Sequence, residues 1–204
     1  MEIIRQASED EMVLEFLKAE INTINSGQRN IQNAINSELQ RLGKDKKIIT
    51  EGTIFDGQNE TRSEILGNSR GYKKNKMLFR NFPSIRQWDF VNLGGRDFEK
   101  LKYINLEKWI KLSNGTRYVV EAAKKIQINK NNEYNEFIKG TEFIRNGGKF
   151  RPPIILTDEK EEELIILEGH NRLTIYMLVL DKEKKIEAFV GRCRNEELTK
   201  WEWK

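Results

Sequence analysis

With 204 residues and 24.1 kDa the chain has room for one sizeable domain, or a small domain with an appendage, and too little for three independent cores. Charged residues make up 33% and mean hydropathy is −0.71, and no apolar stretch approaches the roughly 20 residues of a bilayer crossing, so a membrane span is excluded. Ten Phe, five Tyr and four Trp argue against global disorder. The net charge of +4 is spread evenly, 14 basic and 12 acidic residues in 1–87 against 22 and 20 in 88–204, so no basic domain stands apart from an acidic one. A single cysteine, Cys193, precludes an intramolecular disulfide, and with a single histidine, His170, it precludes Cys- or His-rich metal sites. Met1 is followed by Glu2 and what reads as a charged helix rather than a basic-then-apolar leader, so the cytoplasm is the expected compartment.

In chain order, Ser8 with Glu11 three residues on is a capping-box pattern, and Met12, Phe16, Leu17, Ile21 and Ile24 follow at helical spacing, predicting a helix over about 8–25. A second helix over 28–42 is predicted from Ile31, Ala34, Ile35, Leu39 and Leu42 on one face, with Gly43 as its stop, the two forming an antiparallel pair. Residues 43–60 read as a polar loop with one extended piece at Ile48 and Ile49. A short helix follows from Asn59 through Leu66. The stretch from Arg70 to Arg80 is the densest basic run, holding Arg70, Lys73, Lys74, Lys76 and Arg80 with no acid and with Tyr72 and Phe79 interleaved. Two readings stay open for it: phosphate contact with base stacking, or a solvated loop whose rings enter the core.

From Trp88 the texture changes. Trp88, Phe90, Val91 and Leu93 predict a strand closed by Gly94 and Gly95, and Tyr103, Ile104 and Leu106 another extended piece. Tyr118 to Ile126 has helical spacing with Ser113, Asn114 or Thr116 available as caps. A short helix is expected around Glu136 to Ile144. Pro152 and Pro153 lead into Ile154–Leu156, an acidic turn from Asp158 to Glu163 expected to be solvated, and Leu164–Leu167, two strands apolar enough to be buried on both faces. Glu168, Gly169, His170, Asn171 and Arg172 come next, then a helix apolar almost all round from Leu173 to Leu180, then a strand from Ile186 to Gly191. Trp201 and Trp203 are expected to pack on the N-terminal helices.

A strand that feeds through Glu-Gly straight into a helix puts polar side chains at a helix N-terminus, where unpaired amides and about half a positive charge favour a phosphate. Gly169 allows close backbone approach, His170 and Arg172 can donate to phosphate oxygens, and Glu168 can serve as a base or hold a Mg²⁺ ion. The competing account is structural, with Glu168 and Arg172 in a salt bridge and His170 capping the helix. Convergence of the chain's one His with an Arg, a Glu and a Gly within five residues favours the functional account. Arg117 and Arg151 are further candidates for the same pocket.

At these residues the chain resembles the ParB/sulfiredoxin superfamily, over about 88–192. The resemblance rests on Ile154–Leu156, Leu164–Glu168 and Gly169-His-Asn-Arg172 entering an apolar helix. It implies an α/β (α+β) fold: a compact mixed-sheet domain over 88–204, preceded by a helical region with a basic loop over 1–87. It further implies an early strand from Tyr103 to Trp109 and a helix from Gly115 to Gln127. In that superfamily a Gly-x-x-Arg turn binds nucleotide phosphates. The sulfiredoxin branch has a nucleophilic Cys directly after the glycine, where this chain has His170, so sulfinic acid repair is not expected. The CTP-binding chromosome-partitioning branch places an acidic residue and paired arginines after the glycine, of which only Arg172 is retained. The turn is most similar to the acidic-Gly-His-x-Arg turn of the free-serine kinase branch, with Glu168 in place of the more usual Asp. By that similarity Gly169, His170, Asn171 and Arg172 contact the phosphates of ATP or another nucleoside triphosphate, and Glu168 stands by the transferred group or its Mg²⁺. Two functions remain open: a nucleotide-binding protein, extending to Mg-dependent phosphoryl transfer or hydrolysis, and a non-catalytic module that binds DNA, RNA or protein. A homo-oligomer is compatible with either.

Overall fold

The computed structural model describes residues 1–22, 29–129, 132–179 and 184–201. The chain divides into two compact units, one of Ala7–Pro83 and one built from Met1–Gln6 with Ser84–Lys204.

In the first unit, helix α1 (Glu9–Ile21) starts at the expected capping box. Ser8 Oγ accepts from the Glu11 amide at 3.2 Å, and the Glu11 carboxylate accepts from the Ser8 amide at 2.9 Å. Glu9, Asp10 and Glu11 in its first turn complement the helix dipole, and Met12, Phe16, Leu17 and Ile21 are buried. The predicted continuation to residue 25, with Ile24, and the predicted start at Gln28 lie outside the described residues. Helix α2 (Arg29–Arg41) buries Ile35 and Leu39. Gly43 ends it in the left-handed region, φ +60°, donating to Gln40. The extended piece expected at Ile48 and Ile49 is instead one helical turn, α3 (Lys47–Thr50). The Asp45 carboxylate accepts from the Lys47 amide at 2.7 Å and holds the turn's start, so that Ile49 can be fully buried. Helix α4 (Asn59–Arg70) runs a turn past the predicted Leu66 and stops at Gly71, φ +89°. Beyond it Tyr72 and Phe79 are buried with ring centroids 5.1 Å apart, and Phe79 lies 5.8 Å from the ring of Phe16.

Between α3 and α4 the loop of residues 51–58 is built around Arg62, whose side chain is fully buried. Its guanidinium donates to the carbonyls of Ile48 at 2.7 Å and Thr53 at 2.9 Å and to Asn59 Oδ1 at 2.8 Å, and pairs with Asp56. Asp56 in turn accepts from the amides of Thr53 and Gln58. The hydrogen bond from Arg62 holds the Asp56 carboxyl below its ordinary 3.8. A carboxylate whose folded pKa is depressed contributes stability in full above its unfolded pKa and loses it as pH falls through the folded value. Denaturant unfolding of the wild type and Asp56→Asn at pH 6, 4 and 3 is therefore expected to show a stability gap that is widest at pH 6 and narrows below pH 4. A gap independent of pH would exclude the link.

The second unit is a six-stranded mixed sheet in the order β1-β2-β6-β4-β5-β3 with helices packed on it. Where the sequence suggests a charged helix directly after Met1, the chain forms edge strand β1 (Glu2–Ala7). Strand β2 (Gln87–Leu93), then β3 (Leu101–Lys102), β4 (Ile154–Thr157), β5 (Leu164–Glu168) and β6 (Ile186–Arg192) follow. β2 pairs antiparallel with β6, setting Trp88 opposite Gly191; β6 pairs parallel with β4; β4 and β5 form an antiparallel hairpin; and β3 runs parallel to β5. Gly191 is needed here because a Cβ would stand 2.8 Å from the Trp88 ring. β4 is buried throughout and β5 as far as Leu167, as their unbroken apolar runs predict. The α/β mixed-sheet class expected from the sequence is thus the observed one, with a helical region in the N-terminal part of the chain.

Several local expectations are corrected. No strand forms over Tyr103 to Trp109; the two residues of β3 precede it. After a tight turn in which the Leu106 amide donates to the Ile104 carbonyl, the chain becomes helix α5 (Glu107–Leu112). Helix α6 (Val119–Ile128) has no side-chain cap, since Ser113 Oγ donates to Trp109 O at 2.7 Å and accepts from the Arg117 amide at 2.8 Å, tying the loop instead. Helix α7 (Asn135–Arg145) and helix α6 both pack on α8 (His170–Val179), the apolar helix after β5. The acidic turn is less solvated than expected. Asp158 is buried, Glu159 pairs with Arg86, Glu163 with Lys102, and Glu161 with Arg192, which also holds the buried Asp89 at 2.9 Å. Trp201, ending helix α9 (Asn195–Trp201), is fully buried; Trp203 and Leu180 lie outside the described residues.

Candidate functional site

Gly169 joins the end of β5 to the start of α8 with φ +99°, a conformation side chains rarely adopt. A Cβ there would stand 2.8 Å from Pro153 Cβ and 3.1 Å from its Cα. Glycine is therefore required twice over, for backbone angle and for the close passage of the Pro152-Pro153 segment. The first bond of α8 runs from the Leu173 amide to the Gly169 carbonyl at 2.9 Å, so the amides of His170, Asn171 and Arg172 stand ahead of the helical ladder.

Two of the predicted residues meet across this turn through their side chains. Glu168 and Arg172, four apart across Gly169, form an ion pair in which both side chains are largely buried. Arg172 Nη1 also donates to the Arg151 carbonyl at 2.7 Å. Arg172 thus ties the start of α8 to the strand before it and to the segment entering β4. Arg151 reaches the turn through its backbone carbonyl. His170 lies in a group of three nearly parallel rings: its centroid is 5.1 Å from Trp109 at 11° and 6.1 Å from Tyr103 at 16°, and Tyr103 and Trp109 are 4.7 Å apart at 14°. The Tyr103 hydroxyl shares a 2.6 Å hydrogen bond with Thr174 Oγ1, which donates to the His170 carbonyl at 2.8 Å. Burial pushes the Tyr103 phenol well above its ordinary value and keeps it protonated. Arg117, half-buried with φ +63°, borders the same cluster through its carbonyl, which accepts from the Tyr103 amide at 2.9 Å. Asn171 is half-buried at the first turn.

Tyr103, Trp109 and Thr174 are absent from the sequence-derived set. Tyr103 and Trp109 stand six apart, a spacing that would share one face of a strand, but the chain turns into α5 between them, and only the fold sets both rings against His170.

Glu168 is the one carboxylate among the turn residues and it is engaged by Arg172. Among the described residues no group of three or more His, Cys, Asp or Glu could hold a metal ion. Cys193 is buried beside the end of β6, its thiol pushed up to about 12 by burial, which suits a packed side chain and not a nucleophile.

The basic segment is arranged differently from a stacking platform. Tyr72 and Phe79 face the core, Arg70 pairs with the buried Glu20, Lys73 lies 3.6 Å from Glu9 and 5.2 Å over the Tyr72 ring, and Lys74 bonds Asn68. Lys76 and Arg80 are exposed. No helix is long and apolar enough to cross a membrane among the described residues. No protein-family model, curated protein or solved structure matches the chain.

Proposed function

We propose that the turn at Gly169 binds the phosphate of a nucleotide, with His170 as the principal side-chain donor and the amides at the start of α8 as the cradle. The observation that carries this is the left-handed Gly169 leading directly into α8, with Glu168–Arg172 holding the turn's shape and His170 at the helix start stacked on Trp109. A cradle of this kind supplies its favourable charge from the helix end, because Arg172 is already neutralised by Glu168. The similarity of Glu168-Gly-His-Asn-Arg172 to the nucleotide-binding turn of the ParB/sulfiredoxin superfamily supports a nucleoside triphosphate such as ATP as the ligand. Any Mg²⁺ would arrive on the triphosphate itself. Binding, and not phosphoryl transfer, is the function proposed, since the carboxylate that would serve as base is committed to Arg172.

Isothermal titration with ATP, CTP and GTP, each with Mg²⁺, is expected to give saturable binding of at least one nucleotide. His170→Ala is expected to weaken it about ten-fold or more, the loss of one hydrogen bond to a charged group, roughly 1.5–3 kcal/mol. Absence of heat for all three, or a His170→Ala protein that binds as well as the parent, would refute the proposal.

A further inference from the structure

The imidazole of His170 is half-buried and lies nearly parallel to two rings from a distant part of the chain, Tyr103 and Trp109. A sandwich with the indole in the middle would hold the two smaller rings about 7 Å apart, two ring contacts of roughly 3.5 Å each. Their centroids are 6.1 Å apart, so Tyr103 and His170 lie side by side against one face of Trp109. The indole is a floor under the imidazole, and the phenol a stop at its edge.

Floor and stop are both fixed. Trp109 is 6% exposed and Tyr103 fully buried. One loop ties their backbones: Ser113 Oγ donates to the Trp109 carbonyl at 2.7 Å and accepts from the Arg117 amide at 2.8 Å, and the Arg117 carbonyl accepts from the Tyr103 amide at 2.9 Å. The Tyr103 hydroxyl is held by its 2.6 Å bond with Thr174, one turn along α8 from His170. A histidine at an open helix start samples several rotamers, and ordering such a side chain when a ligand binds costs affinity. A ring held in place beforehand avoids most of that cost.

We propose that Trp109 is a positioning residue for nucleotide binding, which touches no phosphate and acts through His170 by fixing its ring plane before the ligand arrives. This rests on the Gly169 turn being a phosphate site. His170 is the chain's one histidine, so its Cε1–H resonance is unambiguous. In the ligand-free protein that resonance is expected to be shifted upfield by the indole ring current, with an order parameter near the roughly 0.85 of rigid backbone. A value nearer the roughly 0.6 of flexible segments overturns the proposal without recourse to any variant.

Isothermal titration with MgATP, MgCTP and MgGTP then compares the parent with Trp109→Leu, Trp109→Phe, His170→Ala and the double variant Trp109→Leu/His170→Ala. For each nucleotide that the parent binds, Trp109→Leu is expected to weaken binding about three- to ten-fold, the cost of ordering one side chain. Trp109→Phe, which keeps an aromatic floor, is expected to stay within about two-fold of the parent, and the double variant to bind no more weakly than His170→Ala alone. A Trp109→Leu loss that adds in full to that of His170→Ala overturns the proposal, because it would arise from damage to the fold and not through the imidazole. Trp109→Leu binding as tightly as the parent overturns it equally. Both of those results leave the phosphate site standing, whereas His170→Ala binding as tightly as the parent removes the site and its positioning residue together. Circular dichroism establishes that each variant folds, and if Trp109→Leu does not, the relaxation measurement on the parent and the Trp109→Phe titration decide.

Discussion

Replacing Arg62 with methionine is expected to destabilise the helical unit by about 2 kcal/mol or more, the cost of leaving part-buried backbone acceptors without the charged donor that serves them. Methionine keeps most of the side chain's length and its apolar stem, so the loss isolates the guanidinium. That group serves four acceptors at once: the Ile48 and Thr53 carbonyls, Asn59 Oδ1 and the Asp56 carboxylate. Without it the part-buried Ile48 and Thr53 carbonyls lose their donor and the exposed Asp56 carboxylate its counter-ion, and a buried acceptor left unsatisfied costs about 1–3 kcal/mol. Lysine is expected to recover only part of the loss, since an ammonium cannot reproduce the planar fork. Gly52 packs so closely that a Cβ would stand 2.2 Å from the Arg62 guanidinium and 2.1 Å from the Ile48 carbonyl oxygen, so the loop has no slack to collapse into the space. Guanidinium unfolding followed by far-UV circular dichroism measures the effect. A midpoint shift equivalent to less than 1 kcal/mol would show that water replaces the guanidinium without cost.

Gly169→Val is expected to produce the second large effect, a loss of about 3 kcal/mol in the sheet unit together with loss of nucleotide binding. The backbone strain of a side chain at positive φ contributes roughly 1–3 kcal/mol, and a branched residue lies at the upper end. Contact with Pro153 at 2.8 Å adds to it, because the obstacle is a proline in the chain entering β4 and not the tip of a flexible side chain. Gly115 supplies the control. Its φ of +88° is similar, yet a Cβ there meets nothing within 4 Å, so Gly115→Val reports strain alone. The difference between the two variants in thermal or denaturant unfolding measures the crowding at the turn. Equal losses at the two sites would mean that the Pro153 segment yields freely and that the turn is not held as described.

Much of the turn was legible because its signals are local. An apolar run ending in Glu-Gly and passing straight into a second apolar run has few foldings, and the structure places β5, the turn and α8 where that pattern implies. The capping box at Ser8 and Glu11 is similarly self-contained, two residues that satisfy each other's backbone. Strand β1 was not legible, since Glu2 to Gln6 is exposed throughout and owes its extended form to pairing at the sheet edge. Nor was the role of Arg62, which in sequence is one more charged residue on a polar helix and becomes central only when three separated carbonyls and carboxylates converge on it. Ser113 shows the same limit in reverse: its position suits a helix cap, and the loop it ties offered nearer partners.

By itself, then, the amino-acid order determined the features that depend on neighbours within a few residues: helix starts, apolar strands, the glycine turn and the absence of cysteine or histidine clusters. The tertiary structure decided what depends on distant partners. Arg172 is committed to Glu168 and to the Arg151 carbonyl, His170 is stacked with Trp109 and Tyr103, and the rings of the basic segment are turned into the core. The physical reason is that hydrogen bonds and ring contacts act over a few ångströms of space, whatever the separation along the chain, and the sequence specifies that proximity only through the whole fold.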